Sequence, residues 1–461
     1  MKRTALHFGL RLRWLEKNNR ESMREDLILE ENKKEKVLLV GVNTGSEDDF
    51  AQSMQELGSL AEACNMEVTG IMTQNLETVN KALYIGSGKV EEVRSFAAEC
   101  EAELVIFEDT LSPSQLKNLE EALKLPVMDR TNLILDIFAI RAKSREAKLQ
   151  VEVARLKYLL PRLVGMHAAL SRQGGASGSM SSKGAGEKKL ELDRRKIEHR
   201  ISELEQELKE ISGERETQRK KRVRSKVPQV ALVGYTNAGK STLLNAMVDA
   251  YVKDENKRVF EEDMLFATLE TAVRRIENER KKPFFLADTV GFINKLPHGL
   301  IKAFRSTLEE VKNADLLLHV VDYADENHKT HIEVTKETLK ELGAGDIPVI
   351  YVYNKADLCM ENLPQVKENR IYMSAKGGEG MEALFEMIVR SLYAENQKTA
   401  FLIPYDKGQI VSYLCENTEV IAQSYEENGV YLMTDCPKAD MARYQAYIVE
   451  QESGRTGEVN G

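Results

Sequence analysis

The stretch Gly234-Tyr235-Thr236-Asn237-Ala238-Gly239-Lys240-Ser241 constrains this chain more than any other. It fits GxxxxGK[ST], directly follows the apolar run Val230 to Val233, and precedes the helical pattern TLLNAMVDA. A glycine-rich turn between a buried strand and a helix lets backbone amides wrap phosphate oxygens. The helix N-terminus adds donors and a favourable dipole. Lys240 is placed to neutralise β and γ phosphates, and Ser241 to ligate Mg²⁺. The alternative is a chance glycine-rich turn, which would need neither the strand before it nor the helix after it.

Three more short motifs follow in order, each where an apolar strand pattern ends. Asp288-Thr289-Val290-Gly291 closes FFLA; Asp288 is expected to hold Mg²⁺ through water and the Gly291 amide to sense the γ phosphate. Asn354-Lys355-Ala356-Asp357 closes VIYVY. A carboxylate there accepts from the N1 and exocyclic N2 hydrogens of guanine, a donor pair that adenine lacks, so the motif selects GTP over ATP. Ser374-Ala375-Lys376 follows the next strand and is expected to close over the base with a backbone contact to its oxygen. Each tetrapeptide alone is a weak signal. Their order, at successive strand ends, predicts a doubly wound GTP-binding, GTP-hydrolysing domain.

Between the first two motifs a switch segment must bring a threonine to Mg²⁺ and the γ phosphate. Phe266-Ala267-Thr268-Leu269-Glu270 is the candidate, with Thr268 and Thr271 both open on spacing alone. After Gly291 comes Phe292, where related hydrolases place a water-orienting glutamine, so no catalytic side chain can be assigned. Asn237 has two readings. It can help hold a monovalent cation such as K⁺, whose charge would replace an arginine finger, or it can brace the switch by hydrogen bonding.

At 461 residues the chain exceeds one ordinary core. An extension is expected over 1–35, and its first twenty residues carry Lys2, Arg3, Arg11, Arg13, Lys17 and Arg20 against one acid, Glu16. It reads as disordered or partly helical, with a targeting presequence as the alternative and Met23 as a candidate start. Residues 36–142 alternate strand and helix: Val37 to Val42, a helix from Glu47 to Cys64, then strands Val68 to Met72 and Leu104 to Phe107. A small α/β domain with a parallel sheet is predicted.

Over 143–226 the apolar positions Leu149, Val153, Leu156, Leu160 and Leu163 form one helical stripe, and Ile197, Ile201, Leu204, Leu208 and Ile211 form another. Between them, 171–187 is rich in Gly and Ser, which predicts an antiparallel helical hairpin with a flexible tip. The nucleotide domain spans 227–396. A small α+β domain over 397–461 follows a polar break near Glu395 to Thr399, with a strand at Val430 to Met433.

The net charge of −9 argues against a general polycation but leaves local basic patches free to meet RNA. Five well-separated cysteines, without a CxxC pair, fit a reducing cytoplasm rather than a disulfide framework or zinc site. No apolar run approaches the roughly 20 residues of a membrane span. Nothing demands a dimer, so a monomer is expected.

IGSGKVEEV (85–93), the run from Met128 to Leu163, GEKKLELDRR (186–195), GYTNAGKSTLLN, LFATLE, DTVGFINKLPH and the SAK triplet together resemble the HflX family of translation GTPases. The resemblance covers nearly everything beyond residue 36. It implies Thr268 as the switch threonine on Mg²⁺, a hydrophobic residue at Phe292 and stimulation by the ribosome. It also implies that the chain binds the large ribosomal subunit and its RNA near the peptidyl-transferase centre and splits stalled or stressed ribosomes in the GTP state. The hairpin tip departs from the family pattern, with Ala185 for proline and Lys183 for arginine; the switch segment has LETA where a proline-containing LDPT is usual.

The hairpin alone could be a spacer, but a long glycine-rich tip flanked by Arg172, Lys183, Lys188 and Lys189 suits an irregular phosphate surface. Gly86-Ser-Gly88-Lys89 is either a turn that caps a helix or a site for a second nucleotide or an RNA phosphate at the helix start. The competing functions are a GTPase in ribosome biogenesis or drug-stalled ribosome rescue, a GTPase coupled to RNA modification, and an RNA-remodelling nucleotidase.

Overall fold

The computed structural model describes residues 34–45, 50–172, 191–211, 213, 227–252, 265–266, 271–277, 282–295 and 310–449. By their contacts they fall into two units. The first takes Met1–Arg215, Met264–Leu269 and Asn294–Arg305, and the second takes Glu216–Asp263, Glu270–Ile293 and Ser306–Gly461.

The first unit opens with β1 (Glu35–Asn43), α1 (Phe50–Ala63), β2 (Met66–Asn75), α2 (Ser87–Glu99), β3 (Leu104–Phe107), α3 (Pro113–Leu123), β4 (Val127–Asp129) and α4 (Arg130–Arg141). Its sheet runs β2-β1-β3-β4, all parallel. Val37, Leu38, Leu39 and Val40 are all buried, as an unbroken apolar run must be when both sheet faces are covered. At Gly41 a Cβ would stand 2.3 Å from Met54 Sδ, so α1 packs on β1 where a side chain is missing. Ser112 and Gln115 form a capping box on α3, with proline in its first turn. Asp129 caps α4 through the Asn132 amide, and its carboxylate also receives Tyr158 Oη and, at 3.0 Å, Arg162.

Two long helices follow, α5 (Arg145–Arg172) and α6 (191–211). Leu149, Val153, Leu156, Ile201 and Leu204 share one buried cluster, with Leu160, Ile197, Leu208 and Ile211 at its edge. The predicted tip beyond Arg172 lies outside the described residues, as do residues 1–33 of the extension and the whole basic run 219–226.

The predicted GSGK segment is a helix start. Gly86 is the N-cap of α2, its amide donates to Gln74 Oε1 at 2.9 Å, and Lys89 Nζ donates to Glu92 Oε2 at 2.8 Å.

The second unit holds β5 (Gln229–Val233), α7 (Lys240–Tyr251), β6 (Ala272–Ile276), β7 (Phe284–Asp288), β8 (Leu316–Asp322), α8 (His328–Glu341), β9 (Val349–Asn354), β10 (Gln365–Lys367), β11 (Arg370–Tyr372) and α9 (Met381–Leu392). The sheet order is β10-β11-β9-β8-β5-β7-β6; β6 and β10 run antiparallel and the rest parallel. Val230, Leu232, Leu286, Leu318 and Val352 pack with Leu243, Leu244, Leu384 and Ile388 in its core. β5 stands between β7 and β8, so the chain turns in opposite directions from it. The carboxyl ends on either side of β5 are where sheets of this order place ligands.

The unit continues into β12 (Gln397–Ile403), α10 (Gly408–Asn417), β13 (Glu419–Glu426), β14 (Gly429–Cys436), α11 (Lys438–Arg443) and β15 (Ile448–Val449). They form an antiparallel sheet, β13-β14-β12-β15, around Phe401, Ile403, Leu414, Leu432 and Cys436. The expected polar break at 395–399 is partly strand. Gln397 and Lys398 are exposed, but Thr399 is buried opposite Thr434, so pairing with β14 overrides local polarity. All five cysteines are free. Among the described residues no helix is long and apolar enough to cross a membrane.

Candidate nucleotide-binding site

The loop after β5 is shaped by close approaches. Gly234 has φ 146°, and a Cβ there would stand 2.2 Å from the Val320 carbonyl oxygen. Gly239, at φ 89°, would thrust a Cβ to 2.2 Å from Asn354 Nδ2. Both positions need glycine, for backbone conformation as well as space. Asn237, the middle of the loop, is also at positive φ and is exposed.

Lys240 enters α7 and folds its side chain back along the loop, donating to the carbonyls of Tyr235 at 2.7 Å and Gly234 at 3.1 Å. Burial pushes its pKa down to about 8, with the Asp288 charge opposing. An ammonium so poorly solvated gains strongly from an incoming phosphate. Ser241 Oγ lies 2.7 Å from Asp288 Oδ2. Mg²⁺ prefers oxygen donors, needs few from the protein and keeps several waters. A serine hydroxyl beside one carboxylate at the phosphate end of the loop fits it.

Residues 288–293 run alongside the loop. The Phe292 amide donates to Gly234 O at 3.1 Å, and the Thr236 amide donates to Phe292 O at 2.8 Å. A Cβ on Gly291 would meet Thr236 Cα and Cγ2 at 2.8 Å and Lys240 Nζ at 3.0 Å. Gly291 is therefore a point of backbone contact with the loop and its lysine. Thr289 turns away and donates its hydroxyl to Leu232 O at 2.6 Å, bracing β7 against β5. Phe292 and Ile293 are both buried, so no polar side chain is presented there. The buried hydroxyl of Thr236 has no hydrogen-bond partner among the described residues.

The third and fourth motifs join the loop through Asn354. Its amide nitrogen donates to Ala238 O at 3.0 Å and its amide oxygen accepts the Ala375 amide at 2.9 Å. One buried side chain thus ties three loops together. Lys355 Nζ pairs with Asp322 Oδ2 at 2.8 Å, Asp357 sits exposed on a short 3-10 turn (Ala356–Leu358), and Ser374 Oγ accepts the Gly377 amide at 3.2 Å. Ala375 is buried and Lys376 exposed.

Of the predicted residues, those of 234–241, 288–291, 354–357 and 374–376 converge at the carboxyl end of this sheet. In the switch segment, Phe266 belongs to the first unit, where it is buried edge-to-face on Phe138, ring centroids 4.7 Å apart. Ala267, Thr268, Leu269 and Glu270 lie outside the described residues. Sequence reasoning missed the Asn354 tie; asparagine at a strand end beside a phosphate loop was the available signal.

Comparison with known proteins covers most of the chain. Residues 51–139 match the family described as GTP-binding GTPase N-terminal, 141–222 the GTP-binding GTPase Middle Region, and 229–355 the 50S ribosome-binding GTPase family. GTPase HflX of Caldanaerobacter subterraneus subsp. tengcongensis is 46% identical, over 90% of this chain and 94% of the relative. GTPase HflX of Escherichia coli is 38% identical, over 86% and 93% respectively. Among solved structures, a GTP-binding protein from Sulfolobus solfataricus in complex with GDP aligns at 24% identity and TM-score 0.39, covering 77% of this chain and 98% of that one.

Proposed function

The chain belongs to the HflX family of GTPases and hydrolyses GTP to GDP and phosphate, and from that premise we propose that it is a nucleotide-driven switch on the large ribosomal subunit. In the GTP state it binds that subunit and its RNA and splits or rescues stalled or stressed ribosomes. The observation that carries this reading is the match of residues 229–355 to the 50S ribosome-binding GTPase description. The two apolar stripes on α5 and α6 that share one buried cluster support it. Such a pair forms a stiff helical hairpin whose Gly/Ser-rich end, flanked by Arg172, Lys183, Lys188 and Lys189, follows a phosphate surface. The protein acts as a monomer in the cytoplasm.

In this reading the amides of 234–241 cradle the phosphates, with Lys240 on the β and γ groups. Ser241 and Thr268 ligate Mg²⁺, and Asp288 holds its water. When bound, Mg²⁺ would supply positive charge to offset that of the phosphates during hydrolysis. The Gly291 amide senses the γ phosphate, Asp357 reads guanine, and Ala375 closes on its oxygen. With Phe292 buried where a water-orienting side chain would stand, unaided hydrolysis is slow and the ribosome supplies the stimulus. Asn237, exposed at positive φ in the middle of the loop, would help hold a K⁺ ion, whose charge would offset the charge developing on the phosphate. Equal turnover in K⁺, Na⁺ and choline buffers would remove the K⁺ role.

Sucrose-gradient sedimentation of ribosomes with the protein plus GTP, GDP or a non-hydrolysable analogue tests the central reading. Association with large subunits and loss of intact ribosomes should appear with GTP or the analogue and not with GDP. No association in the GTP state would sink the ribosomal role and leave the GTPase standing.

A further inference from the structure

Tyr235, the second residue of the phosphate loop, is gripped by a side chain that belongs to none of the nucleotide motifs. Its ring lies flat on the imidazole of His331, with centroids 3.8 Å apart and planes 12° from parallel. His331 stands in the first turn of α8, where its backbone amide donates to Asn327 O at 3.1 Å. The turn that starts the helix is pinned by Asp325, whose Oδ1 accepts the Asn327 amide at 2.8 Å. The other carboxylate oxygen lies 3.7 Å from His331 Nδ1. Tyr235 is 8% exposed, so the stacked faces are shut off from water.

The backbone carried by this tyrosine is the part of the loop that meets both the lysine and the switch. Tyr235 O receives the Lys240 ammonium at 2.7 Å. Residues on either side of it bond to Phe292, through Gly234 O at 3.1 Å and the Thr236 amide at 2.8 Å. A shift of the Tyr235 ring therefore moves the carbonyl that aims Lys240 and the edge that receives Phe292.

We propose that His331 is a positioning residue for GTP hydrolysis: by clamping the Tyr235 ring it fixes the loop backbone that orients Lys240 and seats Phe292. The inference rests on reading 234–241 as the phosphate loop. It goes beyond that reading in assigning a role to α8. Lys240 matters most when charge builds on the departing γ phosphate, so loosening the clamp lowers turnover more than nucleotide affinity.

The test uses the full chain, with steady-state GTP hydrolysis and binding of a fluorescent GDP measured side by side. His331→Leu keeps bulk but removes the ring, and His331→Phe keeps a stacking ring. An aromatic pair of this kind corresponds to a change of about two- to tenfold. His331→Leu should therefore lower kcat by about that factor, with GDP affinity within about twofold, and His331→Phe should restore kcat. Tyr235→Leu combined with His331→Leu should be no slower than Tyr235→Leu alone, because both remove one interaction. Parental kcat in His331→Leu, equal loss in His331→Phe, or losses that multiply in the double variant would each overturn the proposal. Lys240→Ala is the separate control. If it still binds GDP normally, the phosphate-loop assignment fails, whatever the His331 variants do.

Discussion

Replacing Asn354 by alanine should loosen three loops at once. The side chain is 3% exposed and makes two hydrogen bonds of near-ideal length, 3.0 Å to Ala238 O and 2.9 Å from the Ala375 amide. Truncation leaves a buried carbonyl and a buried N–H without partners. Each such group costs about 1–3 kcal/mol, and the asparagine amide no longer has to be desolvated, so a net loss of about 3 kcal/mol is expected. For a unit of this size that corresponds to a fall of about 6–12 °C in Tm. Part of the loss should appear in binding, because Ala238 and Ala375 must be in register for a nucleotide to meet both. GDP affinity should drop at least about tenfold, equivalent to about 1.4 kcal/mol. Scanning calorimetry with and without GDP, together with titration of a fluorescent GDP, gives both quantities. Gly239→Ala strikes the same amide from the other side, since its Cβ would stand 2.2 Å from Asn354 Nδ2. Its steric cost should therefore shrink in the Asn354→Ala background, while the strain of φ 89° remains. A parental Tm and parental GDP affinity in Asn354→Ala would refute the idea that this residue couples the loops.

Three further outcomes follow from buried charges. Because the Lys240 pKa is pushed down to about 8 from 10.5, the unfolded chain binds more protons between those values, and the nucleotide-free protein gains stability as pH rises through that window. Lys240→Met removes the titration, so urea midpoints of parent and variant should converge from pH 8 towards pH 10.5; a constant gap would contradict the burial effect. His319 is buried and its pKa is pushed down to about 3, chiefly by desolvation, then by the charges of Lys336 and Lys240. Its neutral form thus supplies stability present above pH 6.5 and lost as pH falls towards 3; His319→Phe should flatten that acid limb, and identical limbs would argue against it. In the first unit Lys295 Nζ lies 2.9 Å from both Glu108 Oε1 and Asp109 Oδ1, and Glu108 is fully buried with its carboxyl pKa raised, first by desolvation and then by Asp109. Lys295→Met should cost about 3 kcal/mol in urea unfolding, and adding Glu108→Gln should recover part of it; no loss in the single variant would show that the carboxylates find other compensation.

The strands that were legible in the sequence are those whose burial is continuous. Val37 to Val42, Leu104 to Phe107 and Val230 to Val233 lie within strands in which nearly every residue is buried, so an apolar run suffices to identify them. β6 was not foreseen because Arg274 and Arg275 interrupt AVRRI and only Ile276 is buried. β13 was missed for a related reason, since most of it faces outward and an edge strand needs no hydrophobic face. In the nucleotide site, backbone demands wrote themselves into the sequence as Gly234, Gly239 and Gly291, and charge demands as Lys240 and Asp288. Contacts that depend on tertiary placement left no such trace. Glu108 and Lys295 are 187 residues apart, and neither has a local pattern that announces its partner. The Tyr235–His331 stack is of the same kind, with its histidine in an ordinary amphipathic helix.

The central claim is that the strand ends of the second unit form one guanine-selective GTP site, and Asp357 reports on it most directly. Asp357→Asn exchanges an acceptor for a donor at the position assigned to the N1 and N2 hydrogens of guanine. Hydrolysis of GTP and of xanthosine triphosphate by parent and variant should be compared. The account predicts that the variant loses GTP turnover by several orders of magnitude and gains xanthosine triphosphate turnover, with Tm unchanged. A variant that still hydrolyses GTP at the parental rate would contradict it.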